Sequence, residues 1–490
     1  MTDASAGRVL DAAIKSLRTE ILPQLKDDAI RIRFDQITRL LTSVSARISR
    51  REEGLRQLLQ TAAGRTELGA LEPPPDDATL DELEQRRVHL ERSISQRLPA
   101  LLDDAARSAE GVSALERMVE LEKGFYLSQD TDIAHGSAVV YRGGRIESPP
   151  TASVSEWPEI TDSSLTTYLR KLFERTEVSA TNVRPIAGGF SKQTVFFTLH
   201  DHCAGTQKNL VIRKDMPVPF INKSVVNEFP LLQQLHARQF PVAKPLWLET
   251  DRTLFGGCFI VSERVAGTSD AASWAADPKR AHHACRELAQ VLGNLHAYSP
   301  AELGYAPELA TRSAGELMER DIDNWIALFN ERKPEPFPLQ ELPLVWLRRN
   351  IPRALYSRPA KIVHGDVGFH NLMFDENGHV TALLDWEFSV LGDPTQDLRF
   401  VRQFVEKIMG WPEFMEIYRS AGGVEPCVEA EFFFDLWSKT RNGIGCVDAH
   451  ALFDSVMPDE VKFALAGHVF GPYMYLDGCE TLLAHLKNSR

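Results

Sequence analysis

The sequence predicts an α+β protein in which an all-helical segment is followed by a β-rich one and then by a second helical one. Three observations carry this expectation. Up to about residue 127, apolar residues recur at three- and four-residue spacing with almost no Gly-rich or β-branched runs to punctuate them. Residues 134–163 then shift to Gly, Ser, Pro and Thr, the composition of a linker. Beyond it, the short β-rich runs 195–199, 209–214 and 258–265 precede a long helical stretch at 277–298.

In the first segment, the stripes Leu10, Ile14, Leu17, Ile21, then Ile37, Leu41, Val44, Ile48, then Leu83, Leu90, Ile94, Leu98 each mark the buried face of an amphipathic helix. Four or five such helices form a small antiparallel bundle. Pro73, Pro74 and Pro75 break it once, because proline lacks the N–H a helix needs. Thr79 with Glu82 then supplies a capping box that opens the next helix. The basic run from Arg31 to Arg56 reads as solvated helix surface, and these helices are where a homo-oligomer or protein partner is expected to dock.

Composition narrows the class. With 43% hydrophobic and 25% charged residues, the chain has the proportions of a folded globular protein. A net charge of −13 argues against holding nucleic acid by wholesale phosphate neutralisation. No apolar run is long enough to span a membrane, and the N-terminus has no signal-peptide pattern, so a cytoplasmic protein without a membrane partner is expected. Six scattered cysteines without a CxxC pair are expected to be buried small hydrophobes. Adjacent His282 and His283 near Cys285 lie on one helix and cannot face the same way, so no metal is expected on that trio.

The chemistry gathers in IVHGDVGFHNLMFDENGHVTALLDWEFSVLGDPTQDL, residues 362–398. Leu372–Phe374 and His379–Leu384 read as two strands joined through Asn377-Gly378, a dipeptide that supplies positive φ for a hairpin turn. The hairpin brings Asp366 and Asn371, before its first strand, near Asp385, after its second. Two carboxylates and an amide oxygen suit Mg2+, which takes hard oxygen ligands and leaves positions for water and phosphate. The spacing of Asp366 and Asn371 also matches a kinase catalytic loop. Upstream, Gly188 and Gly189 let the backbone approach phosphates and Ser191 can add a donor. On the strand Leu210–Arg213, Val211 and Arg213 face one side and Lys214 the other.

The set His364-Gly365-Asp366 with Asn371, then Leu384-Asp385-Trp386-Glu387, then Gly392-Asp393-Pro394 with Asp397-Leu398 resembles the aminoglycoside phosphotransferase and choline kinase superfamily over roughly residues 175–480. The resemblance implies a bilobal protein-kinase-like fold, and it leaves unexplained the helical bundle that the periodicity places before it. With the bundle (1–130) and linker (131–165) read from periodicity and composition, the resemblance then gives a small β-rich lobe (166–267) and a mostly helical lobe (268–490). It also implies transfer of the γ-phosphate of ATP, with Mg2+, to a hydroxyl of a small molecule. Asp366 would accept the hydroxyl proton, Asn371 and Asp385 would hold Mg2+, and Gly188, Gly189 and Ser191 would cap the phosphates. Arg213 would clamp them where many kinases have lysine, with Glu228 orienting it, and Glu263 and Val265 would face adenine. His364 and Asp397 would support the loop, and His370 would pack or face solvent.

Helices over 319–332 and 431–445 are expected to wall the acceptor pocket. Asp321, Asp323 and Asp435 there suit an amine, whereas Trp325, Phe434, Trp437, Lys439 and Arg441 suit an apolar or anionic acceptor. The stretch FDLWSKTRNGIG is similar to kinase-like domains fused to, or encoded beside, acyl-CoA dehydrogenases. That places a hydroxyacyl or other hydroxylated metabolite first among acceptors, and an aminoglycoside or amino alcohol second. A regulatory pseudokinase is the remaining reading, opposed by the intact Asp366, Asn371 and Asp385.

Overall fold

The computed structural model describes residues 3–26, 28–65, 68, 71–129, 146–147, 158–187, 191–270, 275–333, 335–457 and 461–489. The chain divides into two compact units, one made of Met1–Arg142, Ile322–Asn350 and Leu436–Arg490, the other of Gly143–Asp321 and Ile351–Asp435. This grouping differs from the linear division read from the sequence. Two segments expected in the second lobe belong to the same unit as the N-terminal helices.

That first unit contains α1 (Asp3–Ser16), α2 (Asp28–Ala62), α3 (Leu80–Arg107) and α4 (Ala109–Gln129). The capping box that opens α3 is closed on both sides. The Thr79 N–H donates to Glu82 Oε2 at 2.8 Å, and the Glu82 N–H donates to Thr79 Oγ1 at 3.4 Å. The apolar stripe of α3, with Leu83, Leu90, Ile94 and Leu98, is fully buried together with Leu55 and Leu59 of α2 and Leu115 and Val119 of α4. Helices Pro338–Arg349 and Gly471–Asn488 complete this core, packing on α3 and α4 through residues such as Leu339, Leu342 and Leu482. Each fully buried leucine contributes on the order of 2 kcal/mol. The N-terminal stripes thus find much of their partner surface in chain more than 200 residues away.

The second unit carries the sheet: β1 (Ile146–Glu147), β2 (Val178–Ala187), β3 (Lys192–Asp201), β4 (Thr206–Asp215), β5 (Pro245–Glu249) and β6 (Phe259–Glu263), antiparallel in the order β1-β2-β3-β4-β6-β5. Its register places Thr194 opposite Arg213 and Phe196 opposite Val211. One face is buried by Val195, Phe197, Leu210, Ile212, Phe259 and Val261, which pack with Leu165 and Leu169 of α5 (Asp162–Phe173). Alternation then sends Val211 and Arg213 to the opposite face. The start of α5 lies inside the expected linker. Thr161 caps it reciprocally with Ser164, a box whose serine stands where the usual signal has Glu or Gln.

Beyond the sheet come α6 (Val225–Ala237), α7 (Pro278–Ala297) and the short strands β7 (Lys361–Val363), β8 (Leu372–Phe374), β9 (Val380–Leu383) and β10 (Val390–Gly392). β8 and β9 form the expected hairpin with Leu372 opposite Leu383. Leu231, Leu288, Leu292, Leu372, Leu383, Trp386 and Val401 belong to one buried cluster beneath it. All six cysteines are free thiols, five of them buried, whereas Cys203 is exposed on the turn after β3, contrary to expectation. Among the described residues no helix is long and apolar enough to cross a membrane.

Candidate active site

The loop between β7 and β8 is shaped by one buried carboxylate. Asp397 accepts the His364 N–H at 2.7 Å and the Gly365 N–H at 2.8 Å, and its Oδ2 lies 3.2 Å from His296 Nε2. Burial alone would raise this carboxyl, but the hydrogen bond and charge of His296 and the nearby His364 hold it below the usual carboxylate range. His364 is buried, its Nε2 2.9 Å from the Leu384 carbonyl and its Nδ1 accepting the Asp366 N–H at 3.3 Å. Burial lowers its pKa, so the neutral ring is the form that spans these groups. Gly365 has φ +81°, and a Cβ there would stand 2.4 Å from the Phe388 carbonyl oxygen, which only glycine avoids.

Asn371 donates its amide N–H2 to the Asp366 carbonyl at 2.9 Å and to Asp366 Oδ2 at 3.2 Å. Its carbonyl oxygen is thereby the atom left with ligand capacity. The Leu384 N–H donates to the Asn371 backbone carbonyl at 2.8 Å, tying the hairpin's two open ends together just before Asp385. Asp385 itself has φ +67°, a left-handed conformation uncommon outside glycine that aspartate adopts more readily than most residues. His370 stands nearer the site than expected: half-exposed, its Nε2 is 3.7 Å from Asp366 Oδ2.

The sheet supplies the cation. Arg213 Nη2 donates to Asp385 Oδ1 and lies 3.8 Å from Glu387 Oε2, while its Nε is 3.5 Å from Glu228 Oε2. Burial raises the Glu228 carboxyl, with Arg213 opposing. Lys214 is buried on the other face, its Nζ 3.3 Å from the Asp215 carbonyl. Two residues to which the sequence assigned no role join the cluster: Lys192, and Glu387, which figures only in the family motif. Lys192 is almost wholly buried, its Nζ 3.2 Å from Asp215 Oδ1 and 3.8 Å from Glu387 Oε2. Glu387 accepts from Ser191 Oγ, and burial with the Asp385 charge pushes its carboxyl up to about 7. The sequence cues to this pair are the place of Glu387 in the motif after Asp385 and the position of the lysine beside Ser191.

Other expected site residues fall differently. The Ser191 hydroxyl donates to Glu387. Gly188 and Gly189 lie outside the described residues. The Glu263 N–H donates to the Lys244 carbonyl at 3.0 Å and its side chain lies 3.5 Å from Lys244 Nζ, so only its carbonyl could meet a base edge. Val265 is half-buried in the following segment. There Gly267, at φ +113°, lets the chain pass so close to Phe374 that a Cβ would stand 2.3 Å from its carbonyl oxygen, and Thr268 and Phe374 exchange two 2.9 Å hydrogen bonds. The residues expected to line an acceptor pocket are largely engaged within their own units. Asp323 pairs with Arg348 at 2.6 Å, Asp435 with Arg399, and Lys439 with Asp477 at 2.7 Å. Trp325, Phe434 and Trp437 are buried, because these faces pack as ordinary amphipathic helices.

Two carboxylates and an amide oxygen gather beside a guanidinium that already bridges strand and loop, an arrangement able to bind a polyphosphate with its cation. A family model, the Phosphotransferase enzyme family, matches residues 182–426. Mouse (Mus musculus) Acyl-CoA dehydrogenase family member 10 is 26% identical over 257 residues, 51% of this chain and 23% of that protein. The Arabidopsis thaliana protein named "Probable acyl-CoA dehydrogenase IBR3" is 30% identical over 223 residues, 43% of this chain and 27% of that protein. The chain thus spans about a quarter of the length of these curated relatives. Among solved structures, choline kinase LicA from Streptococcus pneumoniae is 16% identical with a TM-score of 0.40, over 62% of this chain and 98% of that one.

Proposed function

We propose the following reaction for this chain, which belongs to the phosphotransferase enzyme family: ATP- and Mg2+-dependent transfer of a γ-phosphate to a hydroxyl group of a small molecule. The observation that carries it is the convergence of Asp366, Asn371, Asp385 and Arg213, linked by hydrogen bonds and ion pairs across sheet and catalytic loop. Asp366 would accept the proton of the attacking hydroxyl. Positioning does most of the work in such a transfer, so a carboxylate fixed by the loop suffices. The donor set fits magnesium: Asp385 and the Asn371 oxygen are hard ligands within a crowd of carboxylates. When bound, that ion would neutralise phosphate charge. Arg213 would exchange its carboxylate partners for phosphate oxygens, with Glu228 keeping the side chain in place.

For the acceptor we propose a hydroxyacyl group or a related hydroxylated metabolite. The support is the naming of the curated relatives as acyl-CoA dehydrogenases, since a hydroxyacyl chain is a chemical neighbour of their acyl substrates. The test offers purified protein Mg-ATP with hydroxyacyl thioesters, free hydroxy acids and amino alcohols, and reads phosphorylated product by mass shift. Phosphorylation of the hydroxyacyl class, lost in Asp366→Ala with ATP binding retained, is the expected outcome. Turnover that survives Asp366→Ala refutes its role as base. A preference for amino alcohols refutes the acceptor class alone.

A further inference from the structure

We propose a second cation site, separate from the phosphoryl-transfer cluster, in which His283, Glu287 and His379 hold one zinc-class divalent metal ion. α7 sets His283 and Glu287 one helical turn apart on the same face, and His379 enters from the hairpin turn just before β9. Of the two adjacent histidines on that helix, His282 lies 3.2 Å from Glu413, while His283 acquires a partner from a distant segment.

The donor atoms converge. Glu287 Oε1 lies 3.3 Å from His379 Nδ1 and 3.9 Å from His283 Nε2, and one donor from each residue falls within 4.8 Å of the others. Two ligands of a tetrahedral zinc at about 2.0–2.1 Å stand about 3.3 Å apart, so small side-chain rotations suffice to close the set. The imidazole rings meet edge to face at 5.2 Å. A backbone donor orients the carboxylate: the Val380 N–H donates to Glu287 Oε2 at 3.0 Å, leaving Oε1 turned to both histidines. Gly378, with φ +88°, permits the approach, because a Cβ there would stand 3.1 Å from His283 Cδ2.

Ligand chemistry separates this site from the magnesium cluster. Two imidazoles with one carboxylate favour zinc and its neighbours, whereas magnesium prefers oxygen alone. Glu287 is 17% exposed and His379 62%, so an ion has access and water can fill a fourth position. A bound ion would tie the hairpin turn to α7. The same hairpin leads to Asn371, four residues or about 13 Å along the strand from Asp375, which pairs with His379. His450, Asp454 and His468 also gather within 4.8 Å. There the Arg47 guanidinium donates to the His468 carbonyl, and a cation beside that group is opposed.

The test titrates tag-free, metal-stripped full-length protein with Zn2+ by calorimetry in excess Mg2+, and repeats it with Co2+ to read the intense visible bands of a tetrahedral ion. One ion per chain is expected, with a zinc-dependent rise in Tm. His283→Ala and His379→Ala should each weaken binding by at least about 10-fold, while His450→Ala with His468→Ala should leave it unchanged. Should either alanine variant misfold, Glu287→Gln replaces it. Absence of binding in excess Mg2+, binding undiminished in the His283/His379 variants, or binding lost only with His450 and His468 each overturns the proposal. None of these readouts requires phosphotransferase activity.

Discussion

Replacing Asp397 with alanine should remove the support of the loop between β7 and β8, and the cost can be worked from its contacts. The side chain is fully buried and accepts two backbone N–H groups at 2.7 and 2.8 Å, with His296 Nε2 at 3.2 Å. His296 in turn stands 3.0 Å from the Tyr418 hydroxyl. A hydrogen bond to a charged group contributes about 1.5–3 kcal/mol, and a buried N–H left without a partner costs about 1–3 kcal/mol. Because these count partly the same loss, a total near 4 kcal/mol follows rather than the sum. For a unit of this size that corresponds to a fall in Tm of about 10 °C. Asp397→Asn keeps one acceptor but turns an N–H2 toward a donor, so about half that loss is expected. Calorimetric or fluorescence-monitored melting of the full chain reads both. The Asp397 carboxyl is held low in the fold, so its contribution is present above the unfolded carboxyl pKa of about 3.9 and disappears only as pH falls below it. The gap between wild type and Asp397→Ala should therefore stay constant from pH 8 to pH 5 and close in stronger acid. A variant melting within about 2 °C of wild type would refute the reasoning.

Three further outcomes follow from other contacts. Glu122 of α4 is buried with Oε1 lacking a hydrogen-bond partner among the described residues, and burial pushes its carboxyl up to about 7. The protonated form suits the fold, so Glu122 costs stability as pH rises from about 4.5 through about 7; Glu122→Gln should raise Tm by a few degrees at pH 8 and barely at pH 5, and an equal shift at both counts against it. Gly365→Ala forces a Cβ to 2.4 Å from the Phe388 carbonyl at positive φ, so a loss of at least ~2 kcal/mol is expected in urea melts, with wild-type stability as the contrary result. Arg213→Lys should weaken Mg-ATP binding about 10-fold by replacing a fork with a point charge, and Arg213→Ala more; calorimetry showing unchanged affinity in the alanine variant would remove Arg213 from the nucleotide site.

How far the sequence reveals the site depends on whether the determining contacts are local. The hairpin is legible because Asn377-Gly378 and two short β runs lie side by side, and the loop before it because Asp366 and Asn371 touch across one turn. The face of β4 that holds Arg213 follows from alternation alone. β2 is harder to see: Pro185 and the break in register between Thr181 and Arg184 interrupt its pattern. Glu387 and Lys192 are neighbours only because the fold joins residues nearly 200 positions apart, a pairing no local pattern records. The same limit explains the acceptor helices. Asp323 and Asp435 look open in sequence, and their arginine partners arrive from elsewhere in the chain.

The arginine at position 213 has a physical reason in this charge arrangement. Arg213 and Lys192 face Asp215, Glu228, Asp385 and Glu387, so carboxylates outnumber cations two to one in a buried volume. Part of the excess is absorbed by Glu387, whose carboxyl burial and the Asp385 charge push up to about 7. What is left must be shared by one side chain reaching from the sheet. Arg213 does so with separate atoms, Nε toward Glu228 and Nη2 toward Asp385 and Glu387. A lysine ammonium, a single compact charge on a flexible stem, would have to choose among these partners. The fork can keep Glu228 on one edge while the other edge changes partner from carboxylate to phosphate. Lys192, locked between Asp215 and Glu387 and almost wholly buried, cannot make that exchange without unburying itself. The division of labour therefore follows from shape: the lysine fixes the carboxylates, and the arginine keeps an edge that can change partner.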